Sequence, residues 1–522
     1  MRNGIPILLF LLVCVVGFLL APTIGSAWDE PDNIVSAGRY ILFFQKKFDP
    51  HILFNPNWKV SYFDDKIYTQ NPEITRYPPV PNYLGALLTL ASEKVGIPLT
   101  GRSMIVAFHF ATVLFLALLV VTVYAFGRLF GLSTVVSAFA AVTAFLYPTI
   151  FGHGFSNLKD TAQMSLFAVS LYFLVKGTVR RTRRDILFGA IIWGLALASK
   201  FNAVFVPIIW GIWRFTIYDL RFTNKKALIS FITSLFLVLF VGLLTTFLVW
   251  PVLWFDPLKH GAEVLHYFTT IGQGYKVYWN GILYEAGQGN KLWWYPWVNI
   301  LFITPPILLV SMLMGVGKWV IDILKKRKES YFGSLLILWI CIPLGRSLVP
   351  GVAFYDGIRH FMESLPALIL LAAYGLSLVS TTKVFRVGAF VLGVAIVAHL
   401  LYINTLYFPY STGYLTLFAH DPNTNFDRDI EGLSVKEAAD YVKAHFAHPT
   451  IAVPIAGHLS WYYLPEDSQF VYTVGRADTI ILINKMSHIL STLPGQLDLT
   501  GFTKVYTIER GTSVFGWVYR KQ

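Results

Sequence analysis

The feature that most restricts this chain is the length of its uninterrupted apolar runs. Residues 5–24 carry no charged side chain, and about 20 apolar residues is what an α-helix needs to cross a hydrocarbon core of about 30 Å. Buried helix segments of soluble proteins are shorter, about 10–14 apolar residues. Similar runs recur along most of the 522 residues. Composition agrees: 55% of residues are hydrophobic and 14% charged, against about 25% charged in soluble domains. Inside a bilayer every backbone group must be hydrogen-bonded within the chain. The runs therefore predict an all-α polytopic membrane protein.

Apolar runs at 5–24, 103–130, 134–150, 161–175, 186–199, 203–215, 227–250, 298–320, 332–349, 361–379 and 385–406 predict about eleven transmembrane helices. The first ends in Gly25-Ser26-Ala27, which resembles a signal-peptidase site. At about 20 residues it exceeds the usual 7–15-residue signal core, and we read it as a retained helix. Two segments, 31–48 and 82–95, have intermittent apolar residues that suit helices at the membrane surface.

The formal charge of +13 does not point to nucleic acid, because the basic residues sit in short connections between apolar runs. Arg180, Arg181, Arg183 and Arg184 form one cluster; Arg214, Arg221, Lys225 and Lys226 a second; Lys318, Lys325, Lys326, Arg327 and Lys328 a third. This is the pattern of cytoplasmic loops under the positive-inside rule. With the N-terminus inside, span parity places all three clusters in the cytoplasm. It places outside the loops 26–101 and 251–296 and everything from 408 onward. The chain then divides into a transmembrane domain, 1–407, and an extracytoplasmic domain, 408–522. The latter holds an amphipathic helix candidate at 434–446 and strand-like runs at 450–455 and 479–483, which predict a small α/β unit. Cys14 and Cys341 lie in apolar runs and offer neither a disulfide framework nor a metal site. No Walker-type loop, G-x-S-x-G or H-E-x-x-H motif occurs.

Polar residues gather where the chain leaves the membrane on the outer side. Trp28-Asp29-Glu30-Pro31-Asp32 follows the first helix. An acidic pair at such a boundary suits general-base work, although Asp29 also suits the N-cap of a helix with Pro at its first position. His153, Asn157, Lys159 and Asp160 share a second outer loop; Asp160 suits an N-cap, and Lys159 suits either a snorkelling anchor or an anionic headgroup. Lys200 stands alone between two apolar runs, with no carboxylate near it in sequence. An isolated interfacial charge is costly and a phosphate would explain it. In Tyr355-Asp356-Gly357-Ile358-Arg359-His360, Arg359 offers a planar fork for phosphate and His360 a further donor; an Asp356–Arg359 pair closing a turn is the structural alternative. The 251–296 loop adds aromatics, among them Trp254, Trp279, Trp293 and Trp294, whose flat faces suit sugar rings. These residues predict an outward-facing site for an amphiphilic, anionic substrate.

The order of these motifs resembles the bacterial branch of the glycosyltransferases of the C fold, the group of protein O-mannosyltransferases and lipid A aminoarabinose transferases. The matching residues are Trp28-Asp29-Glu30, Phe151-Gly152-His153 with Asn157-Leu158-Lys159-Asp160, Ala198-Ser199-Lys200-Phe201-Asn202, Trp250-Pro251 with Trp254-Phe255-Asp256-Pro257, and Tyr355 to His360. The similarity in order covers roughly residues 5–407. It implies a polyprenyl- or dolichyl-phosphate sugar donor, an inverting displacement at the anomeric carbon, and location in the plasma (inner) membrane. By the same resemblance Asp29 is the candidate base and Glu30 a second acidic candidate. Lys200, Arg359 and His360 would hold the lipid phosphate, and His153, Asn157, Lys159, Asp160 and Asp356 would position substrate. The acceptor class stays open among glycolipid, polysaccharide and protein hydroxyls. No cofactor or metal is expected. Leu158 stands where the branch often has Pro, and the chain lacks the large inserted luminal domain of the eukaryotic protein O-mannosyltransferases; both point away from a protein mannosyltransferase. The stretch Phe426-Asp427-Arg428-Asp429 to Gly432-Leu433-Ser434 is similar to bacterial relatives. The alternative from another class is a transporter or flippase for an amphiphilic lipid-linked sugar. Inverted repeats with charged residues at midplane would mark one, and this sequence shows neither. A binding or scaffold protein for such a lipid is a third reading.

Overall fold

The computed structural model describes residues 4–54, 77–217, 225–287, 289, 291–377, 383–493 and 497–522. Residues 55–76 of the first outer loop, Arg221 of the second basic cluster and the end of the predicted 361–379 span lie outside the described residues.

Among the described residues seven helices are long and apolar enough to cross a membrane, or eight if one bent pair counts as a span. The predicted count of about eleven is not confirmed, and the difference has local causes. Arg183–Leu197, Phe205–Ile217 and Leu365–Leu376 are helices of 15, 13 and 12 residues, below the ~20 that a full crossing takes. Predicted run 134–150 is bent by 60° between Thr134–Leu146 and Pro148–Ser156. Run 298–320 still supplies one of the seven, Pro306–Leu324, although a break separates it from Tyr295–Ile303. Proline stands at both breaks, where it lacks the N–H that would continue the ladder. Broken helices of this kind are tolerated where neighbouring protein covers them.

Glycine lets the remaining helices approach closely. A Cβ on Gly315 would lie 2.1 Å from the Leu371 carbonyl oxygen, and one on Gly375 2.4 Å from that of Ser311. The helices Pro306–Leu324 and Leu365–Leu376 thus meet backbone to backbone, the small-residue packing that bilayer helices use in place of a hydrophobic drive. The first helix, Gly4–Leu20, packs its Gly17 against Val113 of Gly101–Leu129. The predicted surface segments form the helices Glu30–Gln45 and Val80–Lys94, and Gly85 of the second lies on the Phe108 ring.

The bundle has two chemically distinct ends. At one, Trp213 donates to the Tyr331 carbonyl at 2.8 Å, Trp210 to Thr178 at 2.9 Å, and Phe130 stacks on Phe332 at 4.3 Å. These contacts gather the connections that carry the basic clusters near 180, 214 and 327. At the other end lie Asp29, Lys159, Lys200, Arg359 and the C-terminal unit.

The C-terminal unit is a five-stranded sheet. Its strands are β3 (Thr450–Ala452), β4 (Gln469–Val471), β5 (Thr479–Ile483), β6 (Phe502–Arg510) and β7 (Ser513–Lys521), after a separate hairpin β1 (Lys276–Trp279) and β2 (Ile282–Glu285). The order is β4-β3-β5-β7-β6, with β3 parallel to both neighbours and β7 antiparallel to β5 and β6. The helix Ser434–His445 buries Val435, Ala438, Ala439 and Val442. The hairpin reaches this unit through a Trp279–Phe426 bridge and a Gly281 N–H to the Asn425 carbonyl at 3.1 Å.

Gly315→Val should lower the melting temperature of the detergent-purified chain, since overpacking costs about 1–3 kcal/mol. Gly317→Ala, with nothing within 4 Å of the new methyl, should melt like the native chain. Equal melting of the two variants contradicts the close approach.

Candidate functional site

The site begins with a short segment that turns out of the first helix. Gly25 lies against the Leu433 carbonyl, where an added Cβ would stand 2.4 Å away. The small residues that resemble a cleavage site are therefore also the ones that fit beneath the C-terminal unit. Glu30 is 1% exposed. Its carboxylate accepts from the Ala27 N–H at 2.9 Å and Ser26 Oγ at 3.1 Å, and meets His109 Nε2 at 2.9 Å. It faces into the bundle and does not line the cavity. Asp29 begins the same helix but makes no capping hydrogen bond, so the N-cap alternative does not occupy it. Its side chain is 37% exposed and opens into a cavity of about 1320 Å³.

Cations from two other places meet Asp29 there, and a third lines the same cavity. Arg359 Nη1 lies 3.5 Å and Lys159 Nζ 3.8 Å from Asp29 Oδ2. Lys159 also sits over the Tyr77 ring at 3.9 Å. Lys200, without a carboxylate near it in sequence, donates to Asp160 Oδ1, so its counterion comes from 40 residues away. Asp160 is not the cap of its helix. Asn157 is: its Oδ1 accepts the Asp160 N–H at 3.2 Å, while its Nδ2 donates to Asp160 Oδ2 at 2.9 Å and meets His153 Nδ1 at 3.1 Å. The second motif thus orients Asp160, and Asp160 holds Lys200 in the cavity wall.

The third motif is a turn. Asp356 and Gly357 both have positive φ, 52° and 68°, which reverses the chain and brings Asp356 Oδ2 to 3.5 Å from Arg359 Nη2. The turn-closing pair and the approach of Arg359 to Asp29 coexist. The His360 carbonyl accepts from Asn202 Nδ2 and from Arg346 Nη2, both at 2.8 Å. Arg346 also bonds Asn202 Oδ1 and lies 4.6 Å over the Phe361 ring. Through these bonds the Lys200 turn and the Arg359 turn form one wall.

Charge sets the protonation of this wall. Burial pushes the Asp29 carboxyl up, but Arg359, Lys159, Lys200 and Lys485 outweigh it and bring it down to about 2. Burial disfavours a charged Arg359, yet Asp29, Asp356 and Glu431 lift its pKa well above the ordinary value. Burial and the neighbouring Lys200, Arg359 and Arg346 hold His360 well below its usual range, so its ring is neutral rather than a cation.

Two residues of the C-terminal unit enter the site that sequence reasoning did not single out. Glu431 is buried with Oε1 at 3.7 Å from Arg359 Nη1, 3.6 Å from His153 Nδ1 and 3.4 Å from Asn157 Nδ2. Burial raises its carboxyl and Arg359 only partly opposes this, leaving it at about 7. Lys485 lies 3.1 Å from Asp356 Oδ1. The one sequence signal was the stretch 426–434, similar to that of bacterial relatives. Within it Asp429 accepts the Leu433 and Ser434 N–H groups at 3.0 and 2.9 Å and starts the helix, and Glu431 reaches the site. Nothing in the sequence marked Lys485. Among the described residues no group of three or more His, Cys, Asp or Glu could hold a metal ion.

The geometry defines a class of protein: a helical membrane protein with a mixed-charge cavity at one end of its bundle, walled on one side by a second unit. No family model matches the chain, and no curated protein matches its sequence. Among solved structures it aligns with ArnT from Cupriavidus metallidurans bound to undecaprenyl phosphate, at 14% identity and a TM-score of 0.47, over 99% of this chain and 98% of that one. It also aligns with the Archaeoglobus fulgidus oligosaccharyltransferase in the apo form, at 11% identity and a TM-score of 0.48, over 91% and 65%. A third is the arabinofuranosyltransferase AftD from Mycobacteria, at 12% identity and 0.44, over 98% and 40%.

Because the Glu431 pKa is raised from 4.5 to about 7, its contribution to stability is full below the unfolded value and is lost as pH rises through about 7. Glu431→Gln, which cannot ionise, should melt with the native chain near pH 4 and above it at pH 8. An equal or lower melting temperature at pH 8 contradicts the assignment.

Proposed function

We propose that this chain transfers a sugar from a polyprenyl-phosphate-linked donor to an acceptor hydroxyl on the extracytoplasmic side of the plasma membrane. The observation that carries the reading is Asp29: an uncapped carboxylate, open to the cavity, with Arg359 at 3.5 Å and Lys159 at 3.8 Å. A proton acceptor and a cationic surface stand side by side, as displacement of a phosphate by a hydroxyl demands.

The acceptor oxygen attacks the anomeric carbon, forming a new C–O bond as the bond from that carbon to the phosphate oxygen breaks. The electron pair leaves with the lipid phosphate, the hydroxyl proton passes to Asp29, and the configuration inverts. Arg359 and Lys200 face the charge that develops on the leaving phosphate, which is where fixed cations accelerate most. Neutral His360 donates one further hydrogen bond. Asp29 held at about 2 is ionised but weakly basic. A bound phosphodiester offsets the cations that depress it and returns it toward the ordinary carboxylate range. The donor thereby raises the basicity of the group that will use it.

The other sequence candidates take supporting roles. Asp160 with Asn157 and His153 holds Lys200, and Asp356 holds Arg359. Glu30, turned toward His109, secures the segment beneath Asp29 and is not a base in this reading.

The test is transfer of label from radiolabelled polyprenyl-phosphate sugars to native membrane extract by the purified chain. Asp29→Asn should lower turnover by about 10²–10⁴-fold, the usual share of a general base, while binding of the lipid carrier persists. Native turnover in Asp29→Asn removes the base. Carriers that bind tightly while label never moves, with native chain and variant alike, favour a transporter or binding protein.

A further inference from the structure

Lys485 lies in the C-terminal unit, next to the end of β5, and is 1% exposed. A buried ammonium is costly unless its charge and protons are met, and the groups that meet it are informative. Nζ lies 3.1 Å from Asp356 Oδ1, donates to the Ile430 carbonyl at 3.0 Å, and stands 4.3 Å from the Trp28 ring centroid. Asp356 is the carboxylate whose other oxygen faces Arg359 at 3.5 Å. Trp28 is the residue bonded to Asp29, and its carbonyl accepts from His458 Nε2 of the same C-terminal unit at 3.1 Å. One side chain thus touches the immediate neighbour of each member of the Asp29–Arg359 pair.

We infer that Lys485 is a positioning residue that sets the spacing of Asp29 and Arg359, so that the C-terminal unit is a working wall of the site rather than an appendage. A lysine that served only to dock the unit could pair with any surface carboxylate. This one is held by the orienting carboxylate of Arg359 and by the indole beside Asp29, through an ion pair at 3.1 Å and a cation–π contact at 4.3 Å. Without it the Asp356 carboxylate loses its second cation and Trp28 loses its clamp, and the two reacting groups are free to drift apart. Displacements of about 1 Å at such a pair cost about 10²-fold in rate.

The inference rests on the transfer reading for its kinetic arm only. Full-length Lys485→Met, Lys485→Gln and Lys485→Arg, purified in detergent, are compared with the native chain for kcat and KM with the labelled donor. Amide hydrogen exchange is followed across the peptides, with attention to 26–33. Lys485→Met should lower kcat by about 10²-fold with a much smaller change in donor KM, and should speed exchange at 26–33 while other outer segments keep native protection. Lys485→Gln, which keeps a side-chain N–H donor but no charge, should fall between and stands in if the methionine variant does not fold. Lys485→Arg should recover most of the rate and the protection. Native kcat together with native exchange at 26–33 in the methionine and glutamine variants overturns the proposal. So does loss of protection spread over the whole C-terminal unit, which marks a docking lysine. If the native chain moves no label from any carrier, the transfer reading fails, and exchange at 26–33 still decides the role of Lys485.

Discussion

Arg359 stands between carboxylates from three separated parts of the chain: Asp29 after the first helix, Asp356 on its own turn, and Glu431 in the C-terminal unit. A guanidinium that is 7% exposed has surrendered most of its hydration, and only opposing charge can replace it. The three partners therefore converge on it, and the elements that carry them are drawn together. The first outer segment, the turn before the helix Leu365–Leu376 and the C-terminal sheet meet at this point. Every pairing here is longer than a tight salt bridge, between 3.5 and 3.7 Å. The cation is shared rather than consumed, and it retains attraction for an anion entering the cavity.

The bilayer accounts for why such a cluster forms at an end of the bundle. Charge inside hydrocarbon is expensive, so polar side chains collect at helix termini. Four such termini, from distant parts of the sequence, open on the same cavity. Short helices and Pro breaks serve this arrangement. The turn carrying Lys200 can reach Asp160 because Arg183–Leu197 stops after 15 residues, and Asn202 then ties it to the His360 backbone.

Much of the helical plan was legible because the membrane imposes one period and one minimum length on a chain. Run 103–130 appears as Gly101–Leu129 and run 227–250 as Lys225–Val249. The count is not confirmed where helices are bent or short. Residues 134–150 read as continuous apolar sequence, yet they bend by 60° at Pro148, and 186–199 lies largely in a helix of 15 residues. The site was legible as a set of motifs but not as a geometry. Asp29 and Glu30 are adjacent, and successive residues at a helix start point about 100° apart, so only one of them faces the cavity. Sequence carries no sign of which. His109, the partner that draws Glu30 inward, lies 79 residues away.

By itself the sequence determined that this chain spans a membrane, which end of its helices carries the basic clusters and which carries the polar motifs, and where a small sheet follows. Apolar length, loop charge and short strand-like runs are local quantities, and each can be counted along the chain. Tertiary structure alone decided that Asp160 neutralises Lys200, that Asp29 rather than Glu30 opens to the cavity, that Lys485 completes its wall, and that Glu431 meets Arg359. Those outcomes depend on charges many residues apart meeting in a desolvated space. Coulomb attraction there acts over ångströms between side chains, whatever their separation in sequence.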